Sequence, residues 1–303
     1  MNLEILRAIP LSVALALLLE IVLYLLPAVG IFRTVFTKFP RWLAALLIFG
    51  SGIVPVVALN SAQGMVPSDL PLLAAALGIV CAWYFVMPER PIADVLLLVL
   101  IGSFILLPWF QPLFPSPVEK LKLGGAVNKI FWMRIGMMVF LFVRRIQVQG
   151  LGLWPEKRDW IVGLQQTLIF FALLIPVTLY LKILRFQLPK VDAWMIPLLT
   201  IGSFIGFLYF VAMGEEFLMR GVLQLVLSKE LGGPWRGLIM ASICFGLIHL
   251  PYRGFPNWRF AAMSAVAGVF YGLAYLRAKS LRAAMVSHAL VNTVWTIVFA
   301  RSL

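Results

Sequence analysis

Long apolar runs, separated by short polar linkers, make up most of the chain. A helix needs about 20 residues to cross the ~30 Å hydrocarbon core of a membrane, and most of these runs approach or exceed that length. The predicted helices lie near 8–29, 42–59, 70–87, 95–114, 130–143, 161–183, 194–228, 235–250, 258–277 and 282–300. The run at 130–143 is the weakest of these predictions because Arg134 interrupts it.

Composition supports a membrane protein. Of the 303 residues, 62% are hydrophobic and 12% are charged, whereas soluble domains carry about 25% charged residues. The apolar runs are too long and continuous for the short, alternating strands of an outer-membrane barrel. The sequence therefore predicts an all-α polytopic membrane protein with about eight to ten transmembrane helices. We expect a multi-pass protein of the plasma (inner) membrane, with the lipid bilayer as its surroundings.

The net charge of +13 is explained by basic residues at the membrane surface. Most Lys and Arg residues lie in linkers between apolar runs, where they favour cytoplasmic loops and lipid headgroups. We therefore expect no nucleic-acid partner. Cys81 and Cys244 each lie inside an apolar run, which is typical of buried thiols that act as small hydrophobes.

A polar connector divides the chain into two regions. Residues 147–160 read QVQGLGLWPEKRDW, and their tryptophans suit the level of the lipid headgroups. We predict an N-terminal transmembrane helical region at 1–150, of unknown role, and a C-terminal helical core at 151–303. No internal repeat is present in the sequence.

Two adjacent glutamates interrupt a long uncharged stretch. Glu215 and Glu216 follow twenty nearly uncharged residues, and Arg220 lies four residues after Glu216, on the same helix face. An ordinary salt bridge on a helix that reaches water would explain the pair. A general base for catalysis would explain it equally well. Glu20 is a second intramembrane carboxylate, for which the pattern indicates only a buried polar partner.

Both histidines of the chain, His249 and His288, fall in apolar helices of the C-terminal core. A lone buried histidine is usually a packed core residue. Here the whole histidine complement lies close in sequence to the glutamate pair, which favours a functional site. Phe245 precedes His249 by one turn, and Asn292 follows His288 by one turn, so each pair projects from one helix face.

Helix register supports a meeting of these groups, with one mismatch. Glu215 and His249 are each 17 residues from Gly232, so an antiparallel hairpin places both about 25 Å from the turn. His288 is eight residues past Ser280, a distance of only about 12 Å. Convergence therefore requires the first hairpin to project beyond the membrane or to be kinked.

These residue types can hydrolyse a peptide bond. A carboxylate and one histidine can hold and deprotonate a water molecule, while a second histidine and an amide can donate to an oxyanion. Other intramembrane protease chemistries fit poorly, since the sequence has no HExxH motif and no aspartate in the middle of a span. Cys244 lies five residues before His249, on a different part of the helix surface.

At these residues the sequence resembles the CAAX-protease and bacteriocin-processing family (CPBP, or Abi), which is related to the type II CAAX prenyl endopeptidase. The family motifs EExxxR, FxxxH and HxxxN/D correspond here to 215–220, 245–249 and 288–292, in order. Three motifs that use every histidine make a specific match, and the resemblance covers roughly residues 160–300.

The resemblance implies a glutamate-dependent intramembrane endopeptidase acting on a membrane protein or peptide. In that family pattern Glu215 is the general base, His249 its partner, and His288 with Asn292 the oxyanion site. Glu216, Arg220 and Phe245 have supporting roles. We expect no metal cofactor; the alternative is zinc held by Glu215, His249 and His288. The sequence offers no basis for choosing prenylated substrates.

Two other functions remain open at this stage. A non-catalytic scaffold or bacteriocin-immunity protein could use the same fold, although it would not need the complete motif set. A proton- or ion-coupled transporter could use Glu215, Glu216 and Arg220, but such proteins are often built from internal repeats.

The sequence also contains two GxxxG steps, Gly202–Gly206 and Gly268–Gly272. Glycines at this spacing share a helix face and allow a second helix to approach closely. Chance occurrence in a glycine-bearing membrane sequence is an equally good explanation of each.

Overall fold

The computed structural model describes residues 9–117, 123–180, 185–252 and 254–300. The chain forms two compact units, Met1–Gln147 and Val148–Leu303. The first residue of the predicted helix 8–29 and the last three of the predicted helix 161–183 lie outside the described residues.

In the described ranges, seven helices are long and apolar enough to cross a membrane. Three further apolar helices, Leu70–Val86, Pro91–Leu106 and Pro234–Leu247, have 17, 16 and 14 residues. At 1.5 Å per residue the shorter three measure about 21–26 Å, less than a typical hydrocarbon core. All ten lie where the apolar runs predict helices, which confirms the all-α polytopic fold.

Within the described residues, the first unit contains five long helices and one short one, α2. They are α1 (Leu11–Leu25), α2 (Gly30–Phe36), α3 (Arg41–Ser61), α4 (Leu70–Val86), α5 (Pro91–Leu106) and α6 (Gly124–Val143). The predicted helix 95–114 is wrong at its end. It stops at Leu106 and a 3₁₀ turn follows from Pro108 to Leu113, because a proline disfavours helical backbone in the residue before it.

The sequence led us to suspect that Arg134 breaks its helix. The helix is intact because the charge of Arg134 is paired with that of Glu20. α6 is continuous across Arg134, and the guanidinium is fully buried against Glu20 of α1. Nε and Nη2 donate to the two carboxylate oxygens at 2.9 Å each, and Nη1 donates to Oγ of Ser51 at 2.9 Å. This network joins α1, α3 and α6 and supplies the polar partner that Glu20 requires.

In the part of the second unit that the structure describes, there are five helices and a two-stranded ladder. The elements are α7 (Lys157–Tyr180), β1 (Arg185–Phe186), α8 (Met195–Glu230), α9 (Pro234–Leu247), α10 (Trp258–Ala278), α11 (Leu281–Val298) and β2 (Phe299–Ala300). β1 and β2 are antiparallel, with Phe186 opposite Phe299. α9 and α10 pack extensively on each other, and α11 packs on α7, α8 and α10.

The connector is held against the start of α11. The backbone N–H of Leu281 donates to the carbonyl of Gln149 at 2.9 Å. Arg282 forms ion pairs with Glu156 at 2.7 Å and with Asp159 at 2.9 Å. Gly150 has φ +62° and lies directly against Ser280, so only glycine fits there without strain. The segment before α7 therefore fixes the N-terminal end of the helix that carries His288.

Candidate active site

α8 changes its helical geometry on both sides of the glutamate pair. Its 36 residues correspond to about 54 Å, well beyond the ~30 Å hydrocarbon core. A helix of this length can extend beyond the core, as the different depths of Glu215 and His288 in the sequence analysis require. Phe207–Ala212 and Phe217–Gln224 are π-helical, and the α-helical turn Met213–Glu216 lies between them. A π turn inserts a residue into the helical repeat and is frequent at functional sites.

Glu216 is held by two side chains. It is fully buried, and its Oε2 accepts from Nε of Arg220 at 3.0 Å. Its Oε1 accepts from Nδ1 of His288 at 2.7 Å. One carboxylate therefore joins a guanidinium on its own helix to an imidazole on α11, and both interactions are charge-assisted.

The bond to Glu216 determines the tautomer of His288. A carboxylate only accepts here, so Nδ1 carries the proton and Nε2 of the neutral ring has the lone pair. Nε2 lies 3.8 Å from Oε2 of Glu215, which is too long for a direct hydrogen bond. The separation allows one water molecule to contact both atoms.

Two aromatic rings hold the imidazole of His288. Tyr271 of α10 stacks on it, with centroids 4.5 Å apart and planes inclined by 10°. Phe245 of α9 meets it edge-on, at 5.8 Å and 89°. The hydrogen bond fixes the ring at one edge and the aromatic contacts fix its plane.

His249 is not in the helix predicted for 235–250. α9 ends at Leu247, and His249 lies in the turn before Pro251, where its N–H bonds to the carbonyl of Gly246. Its Nδ1 donates to the carbonyl of Phe245 at 2.7 Å, which leaves the lone pair of the neutral ring on Nε2. The ring is half-buried and packs on Phe245 at 4.7 Å.

The structure brings most of the predicted residues together. Phe245 contacts both histidines and also lies 5.4 Å from the guanidinium of Arg220. Asn292 is half-buried one turn after His288, and its side chain forms no hydrogen bond within the described ranges. An amide without a structural partner is suited to a ligand.

Tyr271 is the residue that sequence reasoning missed. It lies outside the three motifs, and tyrosines are common in membrane helices. Its position between Gly268 and Gly272 was the only available signal, because close helix approach at those glycines brings α10 near the site.

Zinc held by Glu215, His249 and His288 stays a prediction that this structure does not test. Among the described residues, no group of three or more His, Cys, Asp or Glu side chains is placed to hold a metal ion, and this includes Glu215, His249 and His288. Nδ1 of each histidine is bonded within the protein, which is also the usual arrangement of histidines that ligate a metal through the other nitrogen.

Comparison with known proteins gives one family match. Residues 197–294 match the family model described as type II CAAX prenyl endopeptidase Rce1-like. No curated protein and no solved structure matches the chain. Within the C-terminal region of this multi-pass membrane protein, residues 197–294 therefore match the CPBP/CAAX protease family, as the three motifs predict.

Proposed function

We propose that this protein is a glutamic intramembrane endopeptidase that hydrolyses a peptide bond of a membrane protein or peptide without a metal. The observation that carries the proposal is the buried chain Arg220–Glu216–His288, which faces Glu215 inside a family-matched region. Burial of so many ionisable groups between apolar helices is costly and is typical of a functional site. We also propose the plasma (inner) membrane as its location.

Glu215 is the general base in this proposal. A water molecule between Glu215 and its neighbouring imidazole gives a proton to the carboxylate, and its oxygen attacks the scissile carbonyl carbon. The carbon–nitrogen bond of the tetrahedral intermediate then breaks, and the leaving nitrogen takes the proton from Glu215. Water is consumed, one acid and one amine are formed, and the carboxylate is regenerated.

The histidines and Asn292 complete the site in different ways. His249 presents Nε2 as an acceptor that orients the water, since its Nδ1 is bonded to Phe245. Asn292 donates its amide N–H to the oxyanion. His288 donates from Nε2 only as the imidazolium, because Glu216 holds its other proton on Nδ1. Its oxyanion role therefore requires the protonated ring.

The test compares protein termini in membranes from cells with the wild-type protein, a deletion, Glu215→Gln and Glu230→Gln at matched levels. Glu230 is exposed at the end of α8, so its variant controls for loss of a carboxylate on the same helix. We expect one precursor to accumulate in the deletion and Glu215→Gln strains alone. Normal processing by Glu215→Gln would contradict catalysis and would favour a scaffold.

A further inference from the structure

The two GxxxG steps have different surroundings. A Cβ atom added at Gly202 or Gly206 on α8 would have no described atom within 4 Å. At Gly268 on α10 it would lie 3.3 Å from Nη2 of Arg220, and at Gly272 it would lie 2.7 Å from Oε1 of Gln224. The glycines of α10 therefore make room for two polar side chains of α8.

These two side chains are buried with unused polar atoms. Arg220 is 0% exposed and Gln224 is 1% exposed. Nη1 and Nη2 of Arg220, and Nε2 and Oε1 of Gln224, have no hydrogen-bond partner anywhere in the described ranges. An unpaired buried polar atom is destabilising, and native proteins satisfy such atoms with protein groups or with ordered water.

The spacing of the glycines places the two side chains against successive turns of α10. Side chains four residues apart on a helix have Cβ atoms about 5–6 Å apart. Nη2 lies near the first glycine position and Oε1 near the second, and no direct hydrogen bond joins them. One water molecule can join such a donor and acceptor through two bonds of about 2.9 Å.

We propose that an ordered water molecule binds between Arg220 and Gln224, on the surface formed by Gly268 and Gly272. Nη2 of Arg220 donates to its oxygen, and the water donates to Oε1 of Gln224. The remaining Nη1 and Nε2 donors lie within reach of a second water. This site hydrates the Nη atoms of the guanidinium, whose Nε donates to Glu216 and whose carbon lies 5.4 Å from the centre of the Phe245 ring.

The direct test is an experimental density map of the full chain at a resolution that shows waters. We expect a peak within about 3.2 Å of both Nη2 of Arg220 and Oε1 of Gln224. A direct bond between the two side chains, or ordered side chains without a peak, would overturn the proposal. So would an anomalous peak there after bromide soaking, because it would identify an anion site.

Matched variants test the site independently. Gly272→Ala places a methyl group against Gln224, and Gln224→Leu removes both polar atoms; each should remove the peak. Gly206→Ala adds the same methyl group where nothing is in contact, and should keep the peak and wild-type thermal stability. Persistence of the peak in Gln224→Leu would also contradict the assignment.

The expected effect of this water site on activity rests on the proposed function. If the water supports Arg220 and, through Glu216, the position of His288, Gln224→Leu should lower kcat about tenfold and leave KM unchanged. If Glu215→Gln keeps full activity, the proposed function fails, while the density peak still decides the water site. If the peak is absent and Glu215→Gln is inactive, only the water site fails.

Discussion

Nδ1 of His288 lies 2.7 Å from Oε1 of Glu216, whereas its Nε2 lies 3.8 Å from Oε2 of Glu215. The two adjacent carboxylates are therefore not equivalent. Glu216 is bonded to Arg220 and His288, an arrangement that suits a positioning residue. In the proposed mechanism Glu215 is the base that contacts the reacting water.

This difference predicts distinct effects of two similar substitutions. Glu216→Gln should lower the free energy of unfolding by about 3–5 kcal/mol, because it leaves the Arg220 guanidinium buried without its carboxylate. Glu215→Gln should abolish activity with a much smaller change in stability. Thermal unfolding in detergent, measured beside cleavage assays, separates the two effects.

A compensating variant provides the control. Arg220→Met in the Glu216→Gln background removes the uncompensated charge and should recover much of the stability. Activity should stay low, because His288 has still lost its anionic partner. Equal stability of Glu216→Gln and the double variant would argue against a buried ion pair.

The stacked ring of Tyr271 should matter through its plane rather than its hydroxyl. Tyr271→Phe keeps the aromatic contact with His288 and should retain activity. Tyr271→Leu removes a contact worth about 0.5–1.5 kcal/mol, and should lower kcat about three- to tenfold while KM stays constant. A loss in Tyr271→Phe as large as in Tyr271→Leu would show that the hydroxyl, not stacking, is important.

Asn292 should be important for activity but not for stability. Its side chain has no hydrogen bond with the described residues, so Asn292→Ala should change the free energy of unfolding by less than about 0.5 kcal/mol. Loss of an oxyanion donor should lower kcat about 10²- to 10³-fold. By contrast, Asn60 donates to two backbone carbonyls of the first unit, and Asn60→Ala should destabilise the protein. Full activity of Asn292→Ala would exclude it from the oxyanion site.

The buried pair of the first unit predicts a purely structural effect. Arg134→Met leaves Glu20 charged and buried among apolar helices, and should destabilise the protein by about 3–5 kcal/mol. Adding Glu20→Gln removes that charge and should restore part of the loss. Unfolding curves of the two single variants and the double variant measure this coupling, and simple additivity would contradict it.

Much of the site was predictable because its signals are local. A carboxylate pair in an apolar helix and two histidines at one-turn spacing from Phe245 and Asn292 are visible in sequence, and five of these six residues join one contact network. The partner of Glu20 was not predictable, since Arg134 is 114 positions away and no helical period relates residues on different helices. The turn that holds His249 was also missed, because apolar character continues past the end of α9.

Apolar runs and three spaced motifs determined the helices, their membrane character and the family of the C-terminal region, because burial and helical periodicity act along the chain. Tertiary packing decided which carboxylate holds His288, which nitrogen carries its proton and which GxxxG step receives a neighbouring helix. Those outcomes depend on angstrom-scale distances between α8, α9, α10 and α11. The π turns beside Glu215 and Glu216 alter the faces of α8, and the identity of the neighbours then follows from how the helices pack.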